Sequence, residues 1–169
     1  MLGHVRREYP KEACGLLLGR GKEITRILMG RNVARNPYRD FLLDAETLLR
    51  QMDYESAGES LLAIYHSHPH SPPVPSAVDA RLLTYPEVVH IICSLQDPLH
   101  VRVRGWRLHV EAEDACRSLP AGLAAVPGRA GLWARHDPVS PQEGRYTLAW
   151  RTSGGFRCRV VHMREVPLV

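Results

Sequence analysis

Apolar residues recur along this chain in short blocks, most too brief for helices and bounded by turn signals. Ala13 to Leu18 is an unbroken apolar run between Glu12 and the turn Gly19-Arg20-Gly21, a pattern that predicts a buried strand. Glu23 to Met29 follows across that turn as a second strand, completing a hairpin. Leu61 to Tyr65 and Val88 to Cys93 predict two more strands, the latter central to its sheet. His100 to Val110 alternates and predicts two strands across Gly105. Helical signals sit between these runs. Leu2 to Glu8 predicts a short helix ended by Pro10. Asp44 N-caps a helix whose apolar face uses Leu48, Leu49 and Met52. Ser76 opens another to about Thr84, with Pro86 as its stop. Helices interleaved with strands predict an α/β domain.

The pattern changes after Cys116. Residues 117–142 are rich in Pro, Gly and Ala and read as a linker. Beyond it Tyr146, Leu148 and Trp150 alternate, Ser153-Gly154-Gly155 turns, and Phe156, Cys158 and Val160 alternate again, predicting a β-hairpin. The expected organisation is a main domain over 1–116, a linker over 117–142 and a C-terminal hairpin extension over 143–169.

Composition narrows the class. The 169 residues, 44% hydrophobic and 24% charged, exclude a disordered or fibrous chain and suffice for one core without metal or disulfide support. The net charge is +4, and only Lys11 and Lys22 are lysines, so arginine carries nearly all the positive charge. It is scattered from Arg6 to Arg164, which argues against a nucleic-acid tail while leaving acidic partners open. No apolar run approaches a membrane span, and Met1 to Arg7 has no signal-peptide core. Cys14, Cys93, Cys116 and Cys158 are far apart and form no C-x-x-C, so free thiols in a reducing cytoplasm are expected. No dinucleotide or phosphate-loop glycine pattern is present.

The chemistry concentrates in His66-Ser67-His68-Pro69 and Pro75-Ser76-Ala77-Val78-Asp79. Histidines two apart at a strand end point to one side, so both imidazoles can reach one ion. Asp79 lies eleven residues beyond His68, in the first turn of the next helix, and the proline-rich loop can return it to the same ion. Two nitrogens and a carboxylate oxygen leave a fourth position open, the arrangement of catalytic rather than structural zinc. Such zinc lowers the pKa of a bound water to about 7. Hydrolysis also needs a proton acceptor and donor, for which Glu12 is the candidate. Each residue also has an ordinary role: a surface His-x-His pair, a capping box for Ser76 and Asp79, a polar strand entrance for Glu12.

Together, Glu12 within Glu12-Ala13-Cys14-Gly15, the His66-Ser67-His68-Pro69 run, Ser76 and Asp79 resemble the motif of the JAMM (MPN-plus, Mov34/JAB-type) zinc metalloprotease family. The resemblance spans about Glu8 to Val110 and is to a minimal prokaryotic-type member, because no second Cys/His zinc site follows Asp79. It implies a cytidine-deaminase-like MPN fold, a mixed curved β-sheet flanked by helices, here with the C-terminal hairpin added. It implies that His66, His68 and Asp79 hold one Zn2+. It implies that Glu12 acts as general base and then protonates the leaving amine, and that Ser76 donates to the oxyanion. The implied reaction is hydrolysis after the C-terminal Gly-Gly tail of a ubiquitin-like or sulfur-carrier β-grasp protein, a tail that suits a groove beside an edge strand. The alternatives are a non-catalytic MPN-type scaffold module and a zinc hydrolase of the same fold acting on other amides.

Only eleven residues precede Glu12, which is expected to leave a sheet edge open. The apolar face of the C-terminal hairpin is expected to cover that edge, in cis or in a homodimer, or to bind substrate. His70 reads as a loop histidine and Cys14 as inert packing rather than a nucleophile.

Overall fold

A computed structural model describes residues 1–168. The chain packs as two compact units. The first comprises Met1–Val74, Val88–Trp106 and residues 166–168; the second comprises Pro75–Glu87 and Arg107–Glu165.

The first unit carries α1 (Leu2–Glu8), β1 (Cys14–Arg20), β2 (Glu23–Gly30), α2 (Ala45–Ser56), β3 (Ser60–His68), β4 (Val89–Ser94) and the first residues of β5 (Arg102–Cys116). Its strand order is β2-β1-β3-β4-β5, with β3 and β4 parallel and the other pairs antiparallel. The mixed sheet and its helices make this unit α/β.

The apolar runs divide by the period of two. Val5, Ala13, Leu17, Ala63, Tyr65, Ile91, Cys93 and Leu95 form one buried cluster, which includes α1 through Val5. Leu16, Leu18, Leu28, Ile64 and Val88 form another, packed with Phe41, Leu43, Tyr54 and Leu61. A side chain at Gly15 would come within 2.5 Å of the Tyr65 ring, so glycine there lets the tyrosine lie across β1. Tyr65 is fully buried and its hydroxyl meets His4 Nδ1 at 2.7 Å.

Three expectations are corrected here. Gly105 is not a turn: β5 runs through it, and a side chain there would meet Leu168 and Val166. The apolar face of α2 is not the expected one. Leu49 and Met52 are about 60% exposed, while Thr47 and Gln51 are buried. Asp44, the expected N-cap, explains part of this inversion: it receives the Thr47 amide and hydroxyl and the Arg31 amide, giving the polar face buried partners. Cys116 and Cys158, expected as free thiols, form a disulfide. Their separation of 42 residues hides a Cα–Cα distance of 6.2 Å, within reach of a bridge. Cys14 and Cys93 are free and buried.

The second unit carries α3 (Ala77–Arg81), the rest of β5, β6 (Ala124–Ala125), β7 (Leu132–Ser140), β8 (Glu143–Thr152) and β9 (Gly155–Val166). The strand order is β5-β9-β8-β7-β6. β8 and β9 pair antiparallel as far as Thr152 and Gly155, around the Ser153-Gly154 turn. The segment 117–142, expected as a linker, holds β6 and β7, and Leu132 is buried. Glycines and prolines masked a strand whose pairing partner is the next segment rather than a local signal. Leu132, Leu148, Ala149, Val161 and Met163 are the buried apolar positions of β7, β8 and β9. α3 ends at Arg81, short of the expected Thr84. Among the described residues no helix is long and apolar enough to cross a membrane.

Candidate metal centre

β3 builds the first half of the centre. Flanked by β1 and β4, it is buried from Ala63 to its end at His68. Alternation sends His66 and His68 to one face, and their Nε2 atoms lie 3.1 Å apart. Two nitrogens bound tetrahedrally at the usual zinc distance would be separated by about 3.3 Å. His68 Nδ1 is 2.9 Å from the Pro72 carbonyl, which can only accept. That contact places the proton on Nδ1 and leaves Nε2 with its lone pair, the form a metal requires. The Phe41 ring stacks on His66, with centroids 4.6 Å apart.

Glu12 precedes β1 and is buried. The next residue, Ala13, exchanges two hydrogen bonds with Ser67, the residue between the histidines: its amide donates to Ser67 Oγ, and its carbonyl accepts from the Ser67 amide. Cys14 pairs directly with His66 in the β1–β3 register. Glu12 therefore enters the sheet beside the histidines with its backbone fastened. Its amide donates to the Pro37 carbonyl at 2.7 Å, and its carbonyl accepts from Asn32 Nδ2 at 2.8 Å. Cys14 is no nucleophile: burial first, then the nearby Asp44 and Glu12, push its thiol up to about 12.

Ser76 and Asp79 form a reciprocal capping box at the start of α3. Ser76 Oγ accepts from the Asp79 amide at 3.2 Å, and Asp79 Oδ2 accepts from the Ser76 amide at 2.6 Å. The ordinary role is thus realised, and it is compatible with ligation because a carboxylate offers about four lone-pair sites. The candidate donor set is His66 and His68, from the first unit, and Asp79, from the second. Two neutral nitrogens and an anionic oxygen suit a borderline divalent ion such as zinc.

Residues 1–109 match the family model described as prokaryotic homologs of the JAB domain. The chain belongs to this family. A desampylase from Haloferax volcanii is 38% identical over 101 residues, covering 56% of this chain and 73% of that one. A CysO-cysteine peptidase from Mycobacterium tuberculosis is 34% identical over 110 residues, covering 64% and 75%. The solution structure of a Desulfitobacterium hafniense protein superimposes with a TM-score of 0.55 at 35% identity, covering 63% of this chain and 75% of that one.

Several residues that support the candidate site carry no site signal in the sequence. Ser94 Oγ donates to the Ser71 carbonyl, and the buried Trp106 donates its indole N–H to the Pro73 carbonyl. Together they brace the loop whose Pro72 carbonyl orients His68. Asn32 is a second brace. Its amide donates to the Glu12 and Asp40 carbonyls while its carbonyl oxygen accepts from the Ala34 and Leu42 amides. A lone serine, tryptophan or asparagine carries no local signal of this role, because its partners lie up to 33 residues away.

Proposed function

We propose that this protein is a zinc-dependent peptidase that cleaves the bond following the C-terminal Gly-Gly of a ubiquitin-like or sulfur-carrier β-grasp protein. The observation that carries the reading is the His66–His68 pair, whose Nε2 atoms lie 3.1 Å apart with the His68 proton held on Nδ1 by a carbonyl. The names of the relatives, a desampylase and a CysO-cysteine peptidase, support hydrolysis of conjugates of such carriers. On this reading the core is an MPN fold of the cytidine-deaminase-like type.

His66, His68 and Asp79 would hold the zinc. When bound, zinc supplies Lewis acidity and lowers the pKa of water to about 7. Glu12 takes the proton of the attacking water on its carboxylate and returns it to the leaving amine. Its backbone is fixed on both sides, by the Pro37 carbonyl and the Asn32 side-chain amide. Ser76 uses its oxygen to accept from the Asp79 amide, which leaves its hydroxyl proton to donate to the oxyanion.

The test is incubation with the host's own Gly-Gly-ended β-grasp proteins carrying C-terminal extensions, read by mass spectrometry. The expected product ends after Gly-Gly, and formation stops when a chelator removes the metal. Metal-replete protein that leaves every such extension intact overturns the substrate assignment. Cleavage that persists after chelation overturns the zinc assignment.

A further inference from the structure

The second unit contains the helix that bears Ser76 and Asp79, and the arrangement around it is unusual. α3 is five residues long, little more than one turn, and Ala80 is its buried residue. Helices this short do not persist by backbone hydrogen bonding alone. The capping box serves the N-terminal end. The C-terminal carbonyls need partners from elsewhere.

Those partners come from the C-terminal strands. Arg159 of β9 directs Nη1 at the carbonyls of Arg81 at 2.8 Å and of Ala80 and Leu83 at 3.3 Å. A cation there also complements the helix dipole. Glu113 of β5 holds that guanidinium in place, its Oε2 lying 2.7 Å from Arg159 Nε and 2.6 Å from Nη2. The Trp150 ring of β8 has Arg81 and Arg159 as cation partners, at 5.7 and 5.5 Å. At the other end, Tyr146 of β8 donates its hydroxyl to the Pro75 carbonyl at 3.2 Å, one residue before Ser76. Tyr146 is itself steadied by His136 of β7, its cross-strand partner, whose ring stacks at 4.6 Å. Gly144 makes room for that stack, since a side chain there would come within 2.7 Å of His136 Nε2.

We propose that the C-terminal β-structure is a clamp for α3, with Arg159 and Tyr146 as positioning residues that hold Asp79 and Ser76 in working orientation. Tyr146, Trp150 and Arg159 all lie beyond residues 1–109 that match the family, so the clamp is a feature of this chain's own extension. That the clamped residues serve zinc hydrolysis rests on the function proposed above. That α3 is ordered by the clamp does not.

The test measures two quantities on the full chain: amide hydrogen exchange across residues 76–83, and Zn2+ affinity by competition with a chromogenic chelator. Arg159→Ala is expected to speed exchange in α3 and weaken zinc binding by about tenfold or more, the size of losing a charged hydrogen-bond donor. Arg159→Lys keeps the charge but not the planar fork and is expected to recover part of both. Tyr146→Phe, which removes one hydroxyl, is expected to change both by a few-fold. Arg135→Ala, which removes only an exposed pair with Asp137, is expected to change neither. Unchanged exchange in both Arg159→Ala and Tyr146→Phe overturns the clamp, and, should Arg159→Ala fail to fold, unchanged exchange in both Arg159→Gln and Tyr146→Phe does so. Faster exchange with unchanged zinc affinity overturns the link from clamp to site. Wild-type protein that binds no zinc sinks the proposed function, and hydrogen exchange then still decides whether α3 is clamped.

Discussion

The two halves of the candidate centre are held by opposite means. His66 and His68 end a strand paired on both sides, with Ser67 between them bonded to Ala13 through both main chain and side chain. Ser76 and Asp79 occupy a single helical turn whose support is a capping box and side chains from distant strands. A paired strand presents ligands as a by-product of its backbone ladder, so the position survives most surface changes. A one-turn helix has no such reserve, and its geometry depends on a few side-chain donors. The strand-borne half should therefore respond to substitutions of the ligands themselves, and the helix-borne half to substitutions well away from it.

The largest effect belongs to the strand. His66→Ala should abolish retained zinc, measured by elemental analysis, and with it hydrolysis. Retention of one zinc per chain by that variant would remove β3 from the centre. Glu12→Gln comes next. It should keep the metal and lose about 10²- to 10⁴-fold in turnover, the usual scale of a general base. Wild-type hydrolysis by that variant would assign the base elsewhere.

Stability effects follow. Cys158→Ser opens a 42-residue loop in the second unit and should lower the unfolding free energy by about 2–4 kcal/mol, read by denaturant titration. An equal loss on adding reductant to the wild type would locate the effect in the bond rather than the side chain. Ser94→Ala removes the donor to the Ser71 carbonyl. It should cost about 1–3 kcal/mol, with a loss of zinc affinity that follows from the loosened loop behind His68. Unchanged affinity would free the loop of that role.

The smallest effect is a pH dependence at Asp44. Burial alone would raise its pKa, but hydrogen bonds from the Thr47 hydroxyl and from the Arg31 and Thr47 amides outweigh it, so the net shift is downward. A carboxyl lowered in the native state contributes stability above its ordinary value of about 4 and loses it as pH falls through the lowered native value. Asp44→Asn should flatten the acid limb of a pH–stability curve and leave the neutral-to-alkaline limb parallel to wild type. An identical acid limb would remove Asp44 from that account.

Much of this molecule is legible from the chain alone, for a reason that differs between regions. The strands β1, β3 and β4 follow from apolar runs, because strands buried on both faces need little else in their sequence. The candidate site residues follow from a spacing that chemistry makes restrictive: two imidazoles two residues apart, and a carboxylate in the first turn of the next helix. Leu49 and Met52 mislead because amphipathic spacing records which residues share a face of α2, not which face turns inward. Gly105 misleads because a glycine signals a turn or a close approach equally well.

What only the tertiary structure decided are the relations between segments far apart in sequence. The disulfide between Cys116 and Cys158 and the grip of Arg159 on α3 join residues separated by tens of positions. Local pattern encodes burial and backbone preference, which act over a few residues. Which arginine meets which carbonyl is settled by the path of the whole chain. The sequence by itself determined the candidate ligands and the strand that carries two of them; the fold decided what holds the helix of the third.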